Sequence, residues 1–252
     1  MAYAKIIDID DPGYFRLKSI DQSQLKQFLK NPADWAYHRL NDDHKPTDAM
    51  KFGTAFHAYL LGTSDVVSLP EGESFRSKDN QKWRDEQLEA GNIIVSYNDM
   101  QLLKRMKEGI EQTSLMPEYP DYMEIIEQGT KEQCIEWKDR QTGLMLKAKP
   151  DLIPVGTDYL VDLKTAQKAD AESFAKEVIN YGYHIQTVFY RAAVAACKPD
   201  AFDRGSKAPS TMQFWVFEKS DAATGSLSAS AMTIRSRILP RPASVKRSWA
   251  SP

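Results

Sequence analysis

Apolar residues recur at helical spacing in two segments near the start of the chain. Residues 19–40 offer Asp21 and Ser23 as possible N-caps, and Pro32 interrupts the apolar pattern, so we expect two short helices with a break. Residues 50–61 are rich in apolar side chains and predict a further helix.

The pattern then changes twice before residue 115. Residues 62–91 are polar and charged, and they predict a loop or an irregular arm. Beyond them, Asp99 is the expected N-cap of an amphipathic helix. The apolar residues of this helix repeat at steps of three and four: Leu102, Leu103, Met106 and Ile110.

Extended structure is predicted after two prolines, Pro117 and Pro120. Residues 132–137 alternate apolar and polar side chains, residues 139–143 have turn composition, and residues 144–155 alternate again, which indicates a hairpin. A second turn leads into a third short strand, residues 159–166.

Helical spacing returns in residues 171–196, where we expect two helices that meet near residues 180–182. Residues 211–219 predict a strong strand. The order helix, three strands, helix, strand indicates the α/β class, in its α+β form, with a central mixed sheet flanked by helices.

Composition bounds the organisation of the chain. With 252 residues, 42% of them hydrophobic, the chain can bury a full core, and we expect a single domain over residues 1–220. Residues 221–252 are basic, with a net charge of +4, and rich in Ser, Thr, Pro and Ala. A disordered tail is the preferred interpretation, and a tail that contacts DNA is the alternative.

Charge and cysteine content narrow the class of protein. The 33 basic and 35 acidic residues give a net charge of −2, which argues against coating nucleic acid by bulk charge but permits a local basic groove. Cys134 and Cys197 form no CxxC pattern, and both are expected to be buried thiols. No segment approaches the about 20 apolar residues of a membrane span, and no leader precedes the first helix, so we expect a cytoplasmic protein without a membrane partner.

Two acids and a lysine fall at the ends of neighbouring predicted strands. Asp151 follows Pro150, and Asp162-Leu163-Lys164 lies on the next strand, which a hairpin brings back beside Asp151. Two carboxylates at this position repel each other unless a cation lies between them, and oxygen ligands suit Mg²⁺ or Mn²⁺. Lys164 projects to the same side as Asp162 and could orient a water molecule near the metal.

Four short motifs occur in a fixed order along the chain. They are GTAFH at 53–57, PD at 150–151, DLK at 162–164 and QTVFY at 186–190. In this order they resemble the signature of the PD-(D/E)XK nuclease superfamily, in its RecB-like branch. The chain is most similar to the exodeoxyribonuclease VIII (RecE-like) nuclease domain of bacteria and phages, over about residues 19–219. This resemblance implies a restriction-endonuclease-like core.

The resemblance also implies roles for individual residues. His57, Asp151 and Asp162 match metal-ligand positions, with the Leu163 carbonyl as an additional ligand, and Lys164 matches the catalytic lysine. Gln186 and Tyr190 match a pair that contacts DNA or braces the active strand. On a helix without the other motifs, His57 would be read as an ordinary core histidine.

The activity implied is Mg²⁺-dependent digestion of double-stranded DNA ends in the 5′ to 3′ direction. It leaves a 3′ single strand for recombination by a single-strand annealing partner, and ring-shaped homo-oligomers occur in the family. Members with an iron-sulfur cluster use four cysteines, so the two cysteines of this chain exclude that cofactor.

Several alternatives remain open at this stage. A structure-specific endonuclease, or a catalytically inactive module that binds DNA ends, would use the same fold. The basic side chains in residues 76–84 either bind phosphates or belong to a solvated arm; they are Arg76, Lys78, Lys82 and Arg84. The family pattern continues beyond residue 219 with a strand and a long helix, and neither is predicted here, which affects the expected oligomer more than the site.

Overall fold

The structure is a computed structural model that describes residues 4–41, 46–198, 201–202 and 208–219, together with the backbone of residues 230–234. Its helices, in chain order, are α1 (Asp11–Arg16), α2 (Gln22–Lys30), α3 (Pro32–Asn41), α4 (Asp48–Leu61), α5 (Lys78–Glu89), α6 (Tyr97–Ser114), α7 (Tyr122–Gln128), α8 (Ala171–Asn180) and α9 (Tyr183–Ala196). Its strands are β1 (Ala4–Ile7), β2 (Val66–Val67), β3 (Ile93–Ile94), β4 (Thr130–Lys131), β5 (Cys134–Lys138), β6 (Met145–Ala148), β7 (Leu152–Ile153), β8 (Tyr159–Ala166), β9 (Thr211–Glu218) and β10 (Ser230–Ile234).

Side-chain caps define where most of the longer helices begin. In α2 the carboxylate of Asp21 accepts a hydrogen bond from the backbone N–H of Gln24, as expected from the sequence. Thr47, Ser77, Ser96 and Asp170 do the same for α4, α5, α6 and α8. These polar side chains satisfy N–H groups that the first helical turn leaves without a partner.

The strands form a mixed sheet and two smaller sheets. The largest has the order β10-β9-β8-β7-β4, in which β8 and β9 are parallel and the other pairs are antiparallel. A second sheet, β1-β5-β6, is antiparallel, and β2 pairs with β3 in parallel. The predicted class, a mixed sheet flanked by helices, is confirmed.

Helices cover both faces of the five-stranded sheet, as alternation along β8 and β9 shows. Leu160, Met212 and Phe214 belong to an apolar cluster that includes Phe189 and Ala193 of α9. The residues that alternate with them pack on the other face against α4, α6 and α7: Val161, Leu163, Trp215 and Phe217. Because both faces are buried, β8 and β9 are almost continuously apolar, so Asp162 and Lys164 stand out in β8.

Helix α9 also connects the two larger sheets. Phe189 of α9 makes an edge contact with Trp137 of β5, at 5.0 Å between ring centroids, while other α9 residues pack on β9. The predicted hairpin is formed by β5 and β6, but the chain then crosses at Pro150 from the three-stranded sheet to β7 in the five-stranded sheet. Proline has no N–H to continue the β6 ladder.

Three expectations about local structure were wrong. Residues 62–91 are not an irregular arm, because they contain α5 and the first strand of the β2–β3 pair. Residues 122–128 form α7 rather than extended chain. Asp99 is not the cap of α6, since Ser96 caps it and accepts the hydrogen bond from the Asp99 N–H. Helix α5 is polar on all sides and has no buried residue. Its sequence therefore lacks the apolar periodicity from which a helix is predicted.

The expectation of no strand after residue 219 was also wrong. The β10 backbone pairs antiparallel with β9, from Ser230 opposite Val216 to Ile234 opposite Met212. The other positions of the predicted tail, residues 221–229 and 235–252, lie outside the described residues. In the described part of the chain, no helix has both the length and the apolar character needed to cross a bilayer.

Candidate active site

The predicted acidic pair meets at the start of β7. Leu152 of β7 pairs with Val161 of β8, which brings Asp151 to the segment 162–163. There the backbone N–H of Leu163 donates a hydrogen bond of 2.8 Å to Asp151 Oδ2. Both carboxylates are buried, and Asp162 is only 1% exposed. The hairpin interval in the sequence therefore predicted the approach of the two acids correctly.

The Asp162 carboxylate has a different partner on each oxygen. Gln186 Nε2 of α9 donates a short hydrogen bond to Oδ1. Lys164 Nζ forms a close ion pair with Oδ2. Lys164 projects to the same side of β8 as Asp162, as predicted from the strand period.

His57 reaches the pair from α4. Its Nε2 lies 3.0 Å from the Leu163 carbonyl oxygen, and its Nδ1 lies 3.7 Å from Asp151 Oδ2. A carbonyl oxygen only accepts hydrogen bonds, so Nε2 carries the proton in this contact. All the residues predicted as metal ligands are thus in mutual contact or on adjacent positions of one strand.

Burial and neighbouring charges together leave the pKa of both Asp151 and Lys164 raised. Burial, with the neighbouring negative charge of Asp162 second, raises the pKa of Asp151 from 3.8 to about 6. Burial alone would lower the pKa of Lys164, but Asp162 and Asp151 outweigh that effect and raise it. The lysine therefore remains a cation and acts as the counter-ion of the acidic pair in this structure.

Aromatic rings border the Lys164 ammonium. Its Nζ lies 4.8 Å from the centre of the Tyr183 ring and 5.9 Å from that of Phe214. Burial raises the pKa of Tyr183 to about 12, despite the opposing effect of Lys164. The phenol is accordingly neutral near neutral pH, and the lysine has a partly apolar wall on one side.

Glu132, whose own backbone is strained, hydrogen-bonds to the backbone of Asp151. Glu132 follows β4 with φ of 45°, a left-handed conformation that costs a non-glycine residue on the order of 1 kcal/mol. Its N–H donates a hydrogen bond of 2.9 Å to the Asp151 carbonyl oxygen, and its carboxylate lies 3.7 Å from Lys149 Nζ. These contacts fix the main chain from which the Asp151 carboxylate projects.

The donor set fits a hard divalent cation by type. Two carboxylates, one carbonyl oxygen and one imidazole are ligands that Mg²⁺ or Mn²⁺ accepts. In this structure His57 Nε2 uses its proton in the 3.0 Å contact with the Leu163 oxygen, so that nitrogen would have to lose the proton before it could bind a cation. The described residues contain no group of three or more His, Cys, Asp or Glu side chains already arranged around a metal position. Lys164 takes the place beside Asp162 Oδ2 instead.

The residues expected to contact DNA are placed differently. Gln186 is 4% exposed and holds Asp162, and Tyr190 lies in the apolar cluster around α9, so this geometry favours the bracing alternative for the pair. In the segment 76–84, Arg84 pairs with Asp85 at 2.7 Å, and its guanidinium lies 5.9 Å from the Phe75 ring centre. Lys82 lies 3.6 Å from Glu86, so the acids of α5 offset its bases. Arg76 lies just before Ser77, the N-cap of α5, and Lys78 is the first residue of that helix.

Two residues near the site were not identified from the sequence. Tyr183, just after the predicted helix break, borders Lys164, and Lys26 of α2 interacts electrostatically with Lys164 and Asp162. A signal for Tyr183 was available, since it lies one helical turn before Gln186 on α9. No spacing in the sequence connects Lys26 with residues more than a hundred positions later.

Comparison with known families agrees with this geometry. Residues 21–223 match the model of a family described as a PDDEXK-like domain of unknown function (DUF3799). No curated protein matches the chain. The match includes the four motifs and most of the described elements, from α2 to β9. The predicted membership of the PD-(D/E)XK superfamily is confirmed, while closeness to the RecE-like domain stays a prediction. The chain belongs to this family of PDDEXK-like domains, and that membership indicates a nuclease.

Proposed function

We propose that the protein is a metal-dependent deoxyribonuclease that hydrolyses phosphodiester bonds at the ends of double-stranded DNA. The observation that carries this function is the meeting of Asp151, just before β7, with Asp162 and Lys164 inside β8. His57 contacts Asp151 and the Leu163 carbonyl. A stable fold gains nothing from two carboxylates buried side by side, where burial and the charge of Asp162 raise the pKa of Asp151, so their placement favours a role in binding a cation.

Each residue has a distinct part in the proposed reaction. Asp151, Asp162, the Leu163 carbonyl and His57 would hold Mg²⁺, with Mn²⁺ as a substitute. A bound divalent ion supplies a Lewis acid that lowers the pKa of water and offsets charge on the phosphate. Lys164 orients the attacking water and stabilises the phosphate charge, and it can do so because its ammonium is held at the site by Asp162.

Gln186 is a positioning residue in this scheme. Its amide donates to Asp162 Oδ1 and so leaves Oδ2 directed at Lys164 and the proposed metal position. The Tyr183 ring and its neighbour Phe214 restrict water on one side of Lys164, which strengthens the interaction between the ammonium and a phosphate.

The finer assignment follows the resemblance in the sequence. We propose 5′ to 3′ exonuclease action that leaves 3′ single strands for recombination by an annealing partner, in the cytoplasm and within a homo-oligomeric ring. A single domain of residues 1–220, together with the β10 strand that pairs with β9, would carry the activity. The motif order supports this assignment over an endonuclease, and the intact acidic pair with Lys164 supports a catalyst over an inactive module that only binds DNA ends.

End-labelled linear duplex DNA tests the activity. With Mg²⁺ the wild-type protein should release labelled nucleotides from 5′ ends, and EDTA should stop it. Asp162→Asn and Lys164→Ala should each reduce the rate by at least about a hundredfold. Lys168→Ala is a matched control because Lys168 is an exposed lysine just beyond β8, and it should digest DNA as the wild type does. Circular dichroism should show that all variants are folded.

The alternatives give different results in the same assay. Cleavage of closed-circular DNA would identify an endonuclease, whereas an exonuclease leaves the circle intact. Binding to ends without cleavage under Mg²⁺ or Mn²⁺ would identify the inactive module. Digestion by Asp162→Asn and Lys164→Ala at the wild-type rate would disprove the assignment of the site.

A further inference from the structure

An exposed tyrosine stands at the edge of the candidate active site. Tyr181, in the turn between α8 and α9, exposes 59% of its surface. Its ring lies on that of Tyr183, with 5.8 Å between centroids and 29° between planes, and Tyr183 stacks in turn on Phe214 at 5.3 Å and 19°. Because Tyr183 also borders Lys164, the three rings form a row from the site to the surface.

A lysine from a distant part of the chain, Lys26, contacts the same turn. Lys26 Nζ of α2 donates a hydrogen bond of 2.9 Å to the Tyr181 carbonyl oxygen. This close approach requires glycine at position 182, where φ is +62° and a Cβ would come within 2.8 Å of Lys26 Cδ. An ammonium carries three donors, so it can bind a phosphate oxygen beside this carbonyl.

The charges near Lys26 favour an anion. Burial, with the positive charge of Lys164 second, lowers the pKa of Lys26 to about 8, although Asp162 and Asp21 act in the opposite direction. Two lysines thus approach the same site from different elements, α2 and β8. A phosphate group between or beside them would relieve their repulsion.

We propose that Lys26 and Tyr181 form a nucleotide-binding subsite beside the catalytic centre, where the Tyr181 ring stacks on a nucleobase and the Lys26 ammonium binds an adjoining backbone phosphate. This subsite presupposes the nuclease function proposed above and adds the form of the substrate. A base within a duplex is already stacked on both sides, so an exposed ring selects an unpaired base at a frayed or single-stranded end. Stacking accepts every base, so cleavage at this site is not sequence-specific.

Fluorescence of 2-aminopurine tests the stacking contact. The probe is placed in the last unpaired nucleotides of a duplex with a short single-stranded end, and Ca²⁺ replaces Mg²⁺ to prevent cleavage. The wild type and Tyr181→Phe should quench the fluorescence, whereas Tyr181→Ala should not, and its affinity should fall about tenfold. Tyr119→Ala is the matched control, since Tyr119 is an exposed tyrosine on the α6–α7 connection.

The salt dependence of binding tests the phosphate contact. Lys26→Ala should reduce the slope of log affinity against log salt by about 0.7 to 0.9, the value for one phosphate contact, and Lys26→Arg should keep most of the slope. Lys30→Ala, at an exposed lysine one turn further along α2, should leave the slope unchanged.

The outcomes separate this subsite from the nuclease function. If the wild type cleaves DNA but Tyr181→Ala and Lys26→Ala bind and quench as it does, the subsite alone is wrong. If the binding results hold but no divalent ion supports cleavage, the subsite stands and the nuclease function fails. A wild-type protein that does not bind DNA ends overturns both.

Discussion

At the scale of single residues, neighbouring groups offset part of the repulsion between the two buried carboxylates of the site. Asp151 and Asp162 share a buried space, where Lys164 neutralises one and the Leu163 N–H and His57 support the other. This balance is incomplete, because the pKa of Asp151 remains raised to about 6 by burial and by Asp162. The acidic pair therefore destabilises the fold when no cation is bound.

The raised pKa sets the sign of a pH effect on stability. The folded protein holds the Asp151 proton more tightly than the unfolded chain, whose value is about 3.8. The stabilisation that comes from this tighter proton binding is complete below about pH 3.8 and is lost as the pH rises through about 6. In EDTA at about pH 8, Asp151→Asn should raise the free energy of unfolding by on the order of 1–3 kcal/mol, and the gain should vanish towards about pH 4. Urea unfolding measures this difference.

A second aspartate provides a control of opposite sign. Hydrogen bonds from the Thr142 side chain and backbone lower the pKa of Asp139 in the β5–β6 turn. The Asp139 carboxylate therefore stabilises the fold above its unfolded pKa, and this stabilisation is lost as the pH falls. Asp139→Asn should accordingly destabilise the protein at about pH 8. An Asp151→Asn variant less stable than the wild type in EDTA would show that the acidic pair carries no repulsion.

At the scale of elements, a buried lysine joins the N-terminal helices to the three-stranded sheet. Strand β6 contains Lys147, which is 1% exposed. Its Nζ donates to the carbonyl oxygens of Tyr14 (2.8 Å) and Leu17 (3.1 Å) and lies 3.8 Å from Asp21 Oδ2. This lysine thereby attaches α1 and the start of α2 to the three-stranded sheet, and α2 carries Lys26.

Removal of this buried charge should loosen the N-terminal helices. Lys147→Met leaves the Tyr14 and Leu17 carbonyl oxygens without their donor and removes the positive charge beside the Asp21 carboxylate, which should cost about 2–4 kcal/mol. Hydrogen exchange should accelerate in α1 and α2 before the five-stranded sheet is affected. Lys138→Met, at an exposed lysine of the neighbouring strand β5, should change neither quantity. Uniform exchange rates in both variants would contradict this role of Lys147.

At the scale of the whole molecule, the site lies where elements from distant parts of the sequence meet. α4 supplies His57, α9 supplies Gln186, and the acids come from the residue before β7 and from the middle of β8. The net charge of −2 is compatible with phosphate binding, because Lys164 offsets part of the acidic pair, Lys26 lies near it, and a bound metal would add positive charge.

Metal binding should stabilise the molecule as a whole. Ligands that bind only the folded state add about 2.7 kcal/mol at a concentration of 100 times Kd, so saturating Mn²⁺ should raise Tm by several degrees at about pH 8. The increase should be smaller at about pH 5, because the proton on Asp151, with a pKa of about 6, competes with the ion. Thermal unfolding followed by circular dichroism measures both effects. Asp162→Asn should abolish the increase, and an equal increase in that variant would place the metal elsewhere.

Prediction from the sequence succeeded where a signal is local and failed where it is not. The β7–β8 interval placed Asp151 beside Asp162, because a short hairpin leaves few arrangements. Helix α5 was missed because it has no apolar face, and the β10 strand was missed because its pairing with β9 depends on a partner rather than on its own pattern. The role of Gln186 was left open, since only the packed helix shows that its amide points inwards to Asp162.

The sequence by itself determined the chemistry of this protein: which acids, histidine and lysine occur, in what order, and on which kinds of element. These properties follow from spacing within one helix or one hairpin, where the backbone period sets the direction of each side chain. The tertiary structure alone decided that Lys164 neutralises Asp162, that burial holds the pKa of Asp151 near 6, and that Lys26 reaches Tyr181 across the turn at Gly182. Burial and long-range charge depend on the distances between elements, which local patterns do not encode.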